Sequence, residues 1–140
     1  MPKQFFVGAK GVLKTQQGYL LFKRQVKPGI FVWEAIGGRL EEGESFKQTL
    51  DREILEETCL HAEQYEVGDQ LGFELIPREP QEGVGLVLVY FLILVHERVS
   101  SIKISSEHTE IKVVSRASQL PDNIDKGLGE ILKRLLNHGQ

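Results

Sequence analysis

The chain is short of several things, and each shortage excludes a class of protein. It has one cysteine among 140 residues, Cys59, so no internal disulfide framework exists and a reducing compartment fits. It has no excess of positive charge. The formal net charge is −3, so no global basic field draws in nucleic acid, and a nucleic-acid partner is not expected. It has no long hydrophobic run. The longest, Val84 to Val95, is too short to cross a bilayer as a helix, so no membrane partner is expected either. The opening residues Met1-Pro2-Lys3-Gln4-Phe5-Phe6 lack the apolar core and cleavage site of a secretory leader, and a cytoplasmic location is predicted. Nor is there a repeat, a low-complexity tract or a linker that would divide the chain.

What is present is ordinary for one globular unit. Hydrophobic residues make up 41% and charged residues 26% of the chain. The length suits one domain, 1–140, with a core that needs no staples. Residues 5–14 and 18–24 are rich in β-branched, aromatic and leucine side chains, and Thr15 to Gly18 between them carries a hairpin signal. Residues 25–29 are expected to form a loop at Pro28-Gly29. Phe31 to Trp33 is expected as a short strand entering the Gly37-Gly38 pair. Ser45 with Gln48 three residues later forms a capping-box pattern, predicting a helix over 46–58. Residues 65–76 are expected as a strand ended by Pro77, with a loop over 77–83. The uniformly apolar 84–95 segment suits a central strand covered on both faces. A short strand is expected within 107–115. A second helix is expected over 125–138, its apolar face drawn from Ile124, Leu128, Ile131, Leu132, Leu135 and Leu136. Strands on both sides of the first helix and a helix at the end predict an α/β (α+β) fold with a mixed sheet between helices.

The first helix carries an anomaly. At about 100° per residue, Glu53 and Glu57 fall within about 40° of each other, in the sector that Phe46 and Leu50 occupy one and two turns earlier. Carboxylates meant only for solvation belong on the opposite face. Glu53, Glu56 and Glu57 follow the i, i+3, i+4 spacing that brings like charges together, near a helix end whose dipole disfavours them. Arg52 can pair with Glu56 along the helix, but one arginine does not neutralise three acids. A divalent cation does, and hard oxygen donors suit Mg2+ or Mn2+. Gly37 and Gly38 upstream allow backbone to approach a ligand or present a carbonyl to a metal, although a plain turn explains them as well.

The pattern Gly38-x5-Glu44-x7-Arg52-Glu53-Ile54-x-Glu56-Glu57 closely resembles the box of the Nudix (MutT-like) hydrolases, spanning residues 38–60. Two positions depart from it. Cys59 stands where the family has glycine, which would suit a left-handed helix terminus, and Ile36 stands where proline often precedes the glycine pair. Neither departure removes an acid. The resemblance implies a Nudix-type α/β/α sandwich and water attack on phosphorus at a pyrophosphate linkage in a nucleoside diphosphate derivative. Nucleoside triphosphates, dinucleoside polyphosphates, nucleotide sugars and ADP-ribose all fit. It implies Glu53 and Glu57 as main metal ligands, Glu56 as a further ligand or proton acceptor, the Gly37 carbonyl as a backbone ligand, and Arg52 as an orienting donor. Glu44 is expected to be structural. Outside the box, Glu107 and Glu110 are candidates for the general base. His108 is the lesser choice, because nothing in the sequence places it near the helix. Arg24, Phe31, Trp33, Gly38, Arg39 and Asn123 are the substrate-binding candidates, with core or turn roles equally open for the aromatics and the asparagine. Similar proteins also form edge-strand homodimers. A non-catalytic nucleotide-binding module is the alternative; its expected mark, a lost box glutamate, is missing here.

Overall fold

The computed structural model describes residues 4–77 and 84–137. The predicted loop over 77–83 lies outside the described residues except for Pro77. Seven strands and two helices run in the order β1 (Phe5–Thr15), β2 (Gly18–Lys27), β3 (Ile30–Glu34), β4 (Ile36–Arg39), α1 (Phe46–Thr58), β5 (Tyr65–Ile76), β6 (Gly85–Val95), β7 (Glu110–Val114) and α2 (Lys126–Asn137), with three short 3-10 turns between them. The helices cover opposite faces of a mixed sheet. No helix among the described residues is long and apolar enough to cross a membrane.

Side-chain alternation along the strands builds the two layers. Ala9 and Leu13 of β1 and Leu20 and Phe22 of β2 pack with Leu50 and Ile54 of α1. Their neighbours Val12, Tyr19 and Leu21 turn the other way, toward Leu128, Ile131 and Leu132 of α2. β6 serves both layers: Ile93 and Val95 face the α1 side, and Leu88 and Tyr90 the α2 side. That explains its uniformly apolar sequence.

The sheet order is β3-β2-β1-β6-β5, with β4 added to β1 and β7 added to β2. β1 runs parallel to β6 over ten residue pairs, from Phe5↔Gly85 to Lys14↔Leu94. On its other edge β1 changes partner. It pairs with β2 only at Lys14↔Tyr19 and Thr15↔Gly18, and with β4 from Gly8↔Arg39 to Gly11↔Ile36. β2 does the same, leaving β1 to pair with β3 from Phe22 to Lys27, while β7 lies along its opposite edge from Tyr19 to Lys23. The hairpin therefore forks, and the box glycines enter along one side of the fork.

Two expectations need correction. The Gly37-Gly38 pair is part of a strand, because β1 offers a free edge that a local reading of Gly-Gly cannot anticipate. β2 continues to Lys27 through pairing with β3, so the 25–29 loop shrinks to the turn at Pro28-Gly29, and Arg24 lies within the strand opposite Val32. β7 spans Glu110–Val114, inside the 107–115 segment where a short strand is expected, with residues 107–109 in the preceding loop.

Candidate active site

Helix α1 starts as its sequence dictates. Ser45 Oγ accepts from Gln48 N at 3.1 Å, and Gln48 Oε1 accepts from Ser45 N at 2.8 Å. Just before it, Glu44 gathers donors: Glu41 N at 2.7 Å, Thr49 Oγ1 at 2.9 Å, and Arg52 Nε and Nη2 at 2.8 and 2.9 Å. The arginine above all, then the backbone donor, holds the Glu44 carboxyl down at about 2. Glu44 thus anchors Arg52. The guanidinium reaches on to Glu53 Oε1 at 3.1 Å and to the Arg39 carbonyl at 3.2 Å. The expected Arg52–Glu56 pair does not form, since the Glu44 fork is the better partner and Glu56 is exposed.

Glu53 and Glu57 meet the glycine strand. A Cβ on Gly38 would come within 2.3 Å of Glu53 Oε1, so any other residue there would displace this carboxylate from its position. Gly37 has φ of 148°, and its N–H donates to Glu57 Oε2 at 3.2 Å. Glu57 is only 3% exposed. Burial, a hydrogen bond shared with Glu53 and the charges of Glu107 and Glu53 push its carboxyl up to about 9, against a smaller pull from Lys10. The anomaly in the sequence is therefore physical. Two carboxylates face each other at the edge of the core with too little positive charge to ionise both. Among the described residues, no group of three or more His, Cys, Asp or Glu side chains is gathered closely enough to hold a metal ion.

A second buried carboxylate lies at the end of β3. Glu34 Oε2 accepts from Arg24 Nε at 2.8 Å and lies 2.9 Å from His108 Nε2. Burial alone would raise this carboxyl, but hydrogen bonds from His108 and Arg24, with the nearby charge of Lys10, hold it down at about 2. His108 is 3% exposed and packs on the Phe22 ring at 5.5 Å between centroids. Its other nitrogen, Nδ1, lies 3.6 Å from Glu57 Oε1. Arg24, Glu34, His108 and Glu57 form one continuous chain from β2 to α1.

Beside this chain opens a pocket of about 270 Å³. Lys10, Arg24 and Arg39 give it a basic end next to Glu34 and Gly38, and Ala35, Ile76, Leu86 and Leu88 form apolar walls. Tyr90 and Asp125 also line it, joined by a hydrogen bond of 3.0 Å from the phenol.

The NUDIX domain family matches the chain over residues 5–135. The chain belongs to the Nudix hydrolase family. No curated protein matches it. Among solved structures of Nudix folds it is similar to a MutT protein from Methanosarcina mazei Go1 (20% identity, TM-score 0.76, covering 100% of this chain and 99% of that one). It is also similar to the E. coli dihydroneopterin triphosphate pyrophosphohydrolase (20% identity, TM-score 0.75, covering 97% and 99%). A third is a C. elegans Ap4A hydrolase (19% identity, TM-score 0.73, covering 95% and 96%). At these identities the likeness is one of fold.

In this Nudix fold the candidate residues divide into two groups. Gly37, Gly38, Arg52, Glu53 and Glu57 come together, and Arg24 and Arg39 line the adjoining pocket. Phe31, Trp33 and Asn123 are elsewhere. Trp33 is buried in the α2-side core, and Lys23 Nζ lies 4.6 Å from the Phe31 ring centroid. Asn123 donates to the Phe31 carbonyl at 3.2 Å, fastening the approach to α2 onto β3. Glu110 pairs with Lys23 at 3.6 Å on an exposed strand end. Glu107 lies in the loop over the end of α1, where its charge acts on both Glu57 and Arg24. Sequence reasoning missed Glu34 and undervalued His108. The one available signal was an acid following the apolar Phe31-Val32-Trp33 run.

Proposed function

We propose that this Nudix protein is a divalent-cation-dependent hydrolase that cleaves a pyrophosphate linkage in a nucleoside diphosphate derivative, with Mg2+ or Mn2+ as its ion. The observation that carries the reading is Glu57, buried against Glu53 beside Gly37 and next to a basic pocket. The donors fit a hard cation. Carboxylate and carbonyl oxygens dominate, and an ion held by Glu53 and Glu57 would offset the burial and the repulsion that raise the Glu57 carboxyl. Glu53, Glu57 and the Gly37 carbonyl would hold it, with the exposed Glu56 turning in as a further ligand. Such an ion would neutralise charge on a diphosphate and acidify a water.

The protein's own side chains supply the rest. Arg52, fixed by Glu44, keeps Glu53 oriented. Lys10, Arg24 and Arg39 offer positive charge to the phosphates at the mouth of the pocket. Glu107 is the better placed of the two general-base candidates, because Glu110 is held by Lys23. The apolar walls and the Tyr90–Asp125 pair suit the organic part of the substrate; Phe31, Trp33 and Asn123 do not line this pocket. The names of the similar structures, a dihydroneopterin triphosphate pyrophosphohydrolase and an Ap4A hydrolase, favour the same class of linkage. A single-domain, cytoplasmic enzyme that dimerises through an edge strand completes the proposal.

A panel of nucleoside triphosphates, dinucleoside polyphosphates, nucleotide sugars and ADP-ribose with Mg2+ or Mn2+, scored for phosphate and pyrophosphate release, tests this reading. Turnover of at least one member is expected. Binding of panel members without turnover under either metal would favour a nucleotide-binding module.

A further inference from the structure

Among the described residues, the buried side-chain polar atom without a hydrogen-bond partner is Nδ1 of His108. Buried polar atoms are ordinarily satisfied, and an exception calls for a physical explanation. Its surroundings provide one. The imidazole is fixed in three ways. Its Nε2 meets Glu34 Oε2 at 2.9 Å, its ring lies on Phe22, and its backbone N–H donates to the Ser105 carbonyl at 3.2 Å. The same loop is tied to the end of α1, since Ser105 N donates to the Glu57 carbonyl and Lys103 N to the Thr58 carbonyl, each at 3.2 Å. Glu34 is an ionised carboxylate and can only accept, so Nε2 carries a proton and Nδ1 is left turned toward Glu57 Oε1 at 3.6 Å. That separation is slightly beyond a hydrogen bond, so the fixed ring confines the Glu57 carboxyl by contact. The other oxygen of Glu57 is already held by Gly37 N at 3.2 Å. The carboxylate is thus bracketed by a backbone N–H on one side and a buried, prepositioned imidazole on the other.

We propose that His108 is a positioning residue for Glu57: anchored by Glu34, it fixes the Glu57 carboxylate in the orientation that binds a divalent cation. Glu34 is the second member of the device and Arg24 the third, so the basic end of the pocket and the cation-binding end of α1 share one line of contacts. The arrangement follows a general logic of metal sites, in which partners beyond the ligands orient them and their loss lowers affinity or activity about 10- to 100-fold. The proposal rests on the metal-site reading of Glu57 given above.

The test is Mn2+ binding to the full chain without substrate, followed by the paramagnetic signal of free Mn2+ or by calorimetry, with a thermal melt of each variant alongside. His108→Ala is expected to weaken Mn2+ binding about 10- to 100-fold. Glu34→Gln, which keeps the side-chain volume and does not touch Glu57, is expected to weaken it in the same direction. The double variant should be no weaker than His108→Ala, because both changes break one line of contacts. Wild-type affinity in His108→Ala or in Glu34→Gln would overturn the proposal, as would fully additive losses in the double variant. A lowered melting temperature with unchanged Mn2+ affinity would assign His108 to folding alone and overturn it equally. Should His108→Ala fail to fold, the Glu34→Gln result decides. Glu57→Gln separates the two levels of inference. Mn2+ binding that survives that change removes the metal site itself, and this proposal with it. Binding lost in Glu57→Gln but intact in Glu34→Gln removes only the role of the His108 line.

Discussion

The two helices are nearly the same length and cover opposite faces of one sheet, yet they are held in different ways. α2 presents Leu128, Ile131 and Leu132 to the core and carries Arg134 in its last turn, where a cation complements the helix dipole. Its apolar face and its C-terminal charge both agree with its position. α1 presents Leu50 and Ile54 in the same manner, and then Glu57, also buried, with no basic residue in its last turn. One helix is a stable cover. The other carries a destabilising group at the place where the pocket opens. Sequences that break local rules at one spot and obey them elsewhere do so at functional sites, and the contrast between α1 and α2 within one domain isolates that spot.

The sharpest way to break this contrast is to neutralise Glu57. Glu57→Gln should lower turnover by more than about 100-fold, since even residues that only orient a ligand contribute that much. Its circular dichroism should stay native, because the variant removes charge and not volume. Near-normal turnover would sink the assignment. The matching change on α2, Leu132→Ala at a fully buried position, should do the reverse. It is expected to destabilise by about 2–5 kcal/mol in denaturant titration, with turnover per folded molecule unchanged.

Glu34 gives a subtler, pH-dependent effect. Its folded-state carboxyl lies at about 2, below its ordinary value of 4.5, so its contribution to stability is present above the ordinary value and is lost as pH falls toward 2. Glu34→Gln should therefore be less stable than wild type at neutral pH, by roughly 1–3 kcal/mol. The two unfolding curves should converge as pH falls through that range. A gap that persists at pH 2 would mean the loss is one of packing. The smallest effect is expected at Cys59, which ends α1 at φ of 63° with its N–H donating to the Leu55 carbonyl. A left-handed conformation is unfavourable for any side chain with a Cβ. Cys59→Gly should raise the melting temperature by roughly 2–4 °C and leave turnover unchanged.

Much of this was legible in the chain. The bounds of α1 followed from Ser45 and Gln48, those of β5 from its apolar alternation and Pro77, and the face of α2 from its leucine spacing. All are local signals. Cys59 also shows that the left-handed helix end survives the loss of the glycine that usually supplies it. The remainder depended on distant segments. β4 exists because β1 offers it an edge, and β2 runs past Arg24 because β3 pairs with it. Arg52 turns to Glu44, which the chain brings back across the helix start, in preference to the helical neighbour four residues on. His108 reaches Glu57 because the loop after β6 folds over the end of α1, and Glu34 reaches His108 because β3 lies next to β2. No periodicity encodes those meetings.

The fork in the hairpin has a mechanical consequence. Along its length β1 is bonded on one edge to β6 and on the other first to β4 and then to β2, so its amides form the least breakable seam of the sheet. Gly37 and Gly38 hang from that seam through β4, and Lys10, in the same stretch, lines the pocket. Breathing that would separate the glycine strand from the pocket wall has to open β1 itself. Both halves of the site should therefore keep their spacing while the exposed hairpin ends fluctuate, and slow amide exchange at Ala9 to Gly11 would be its signature.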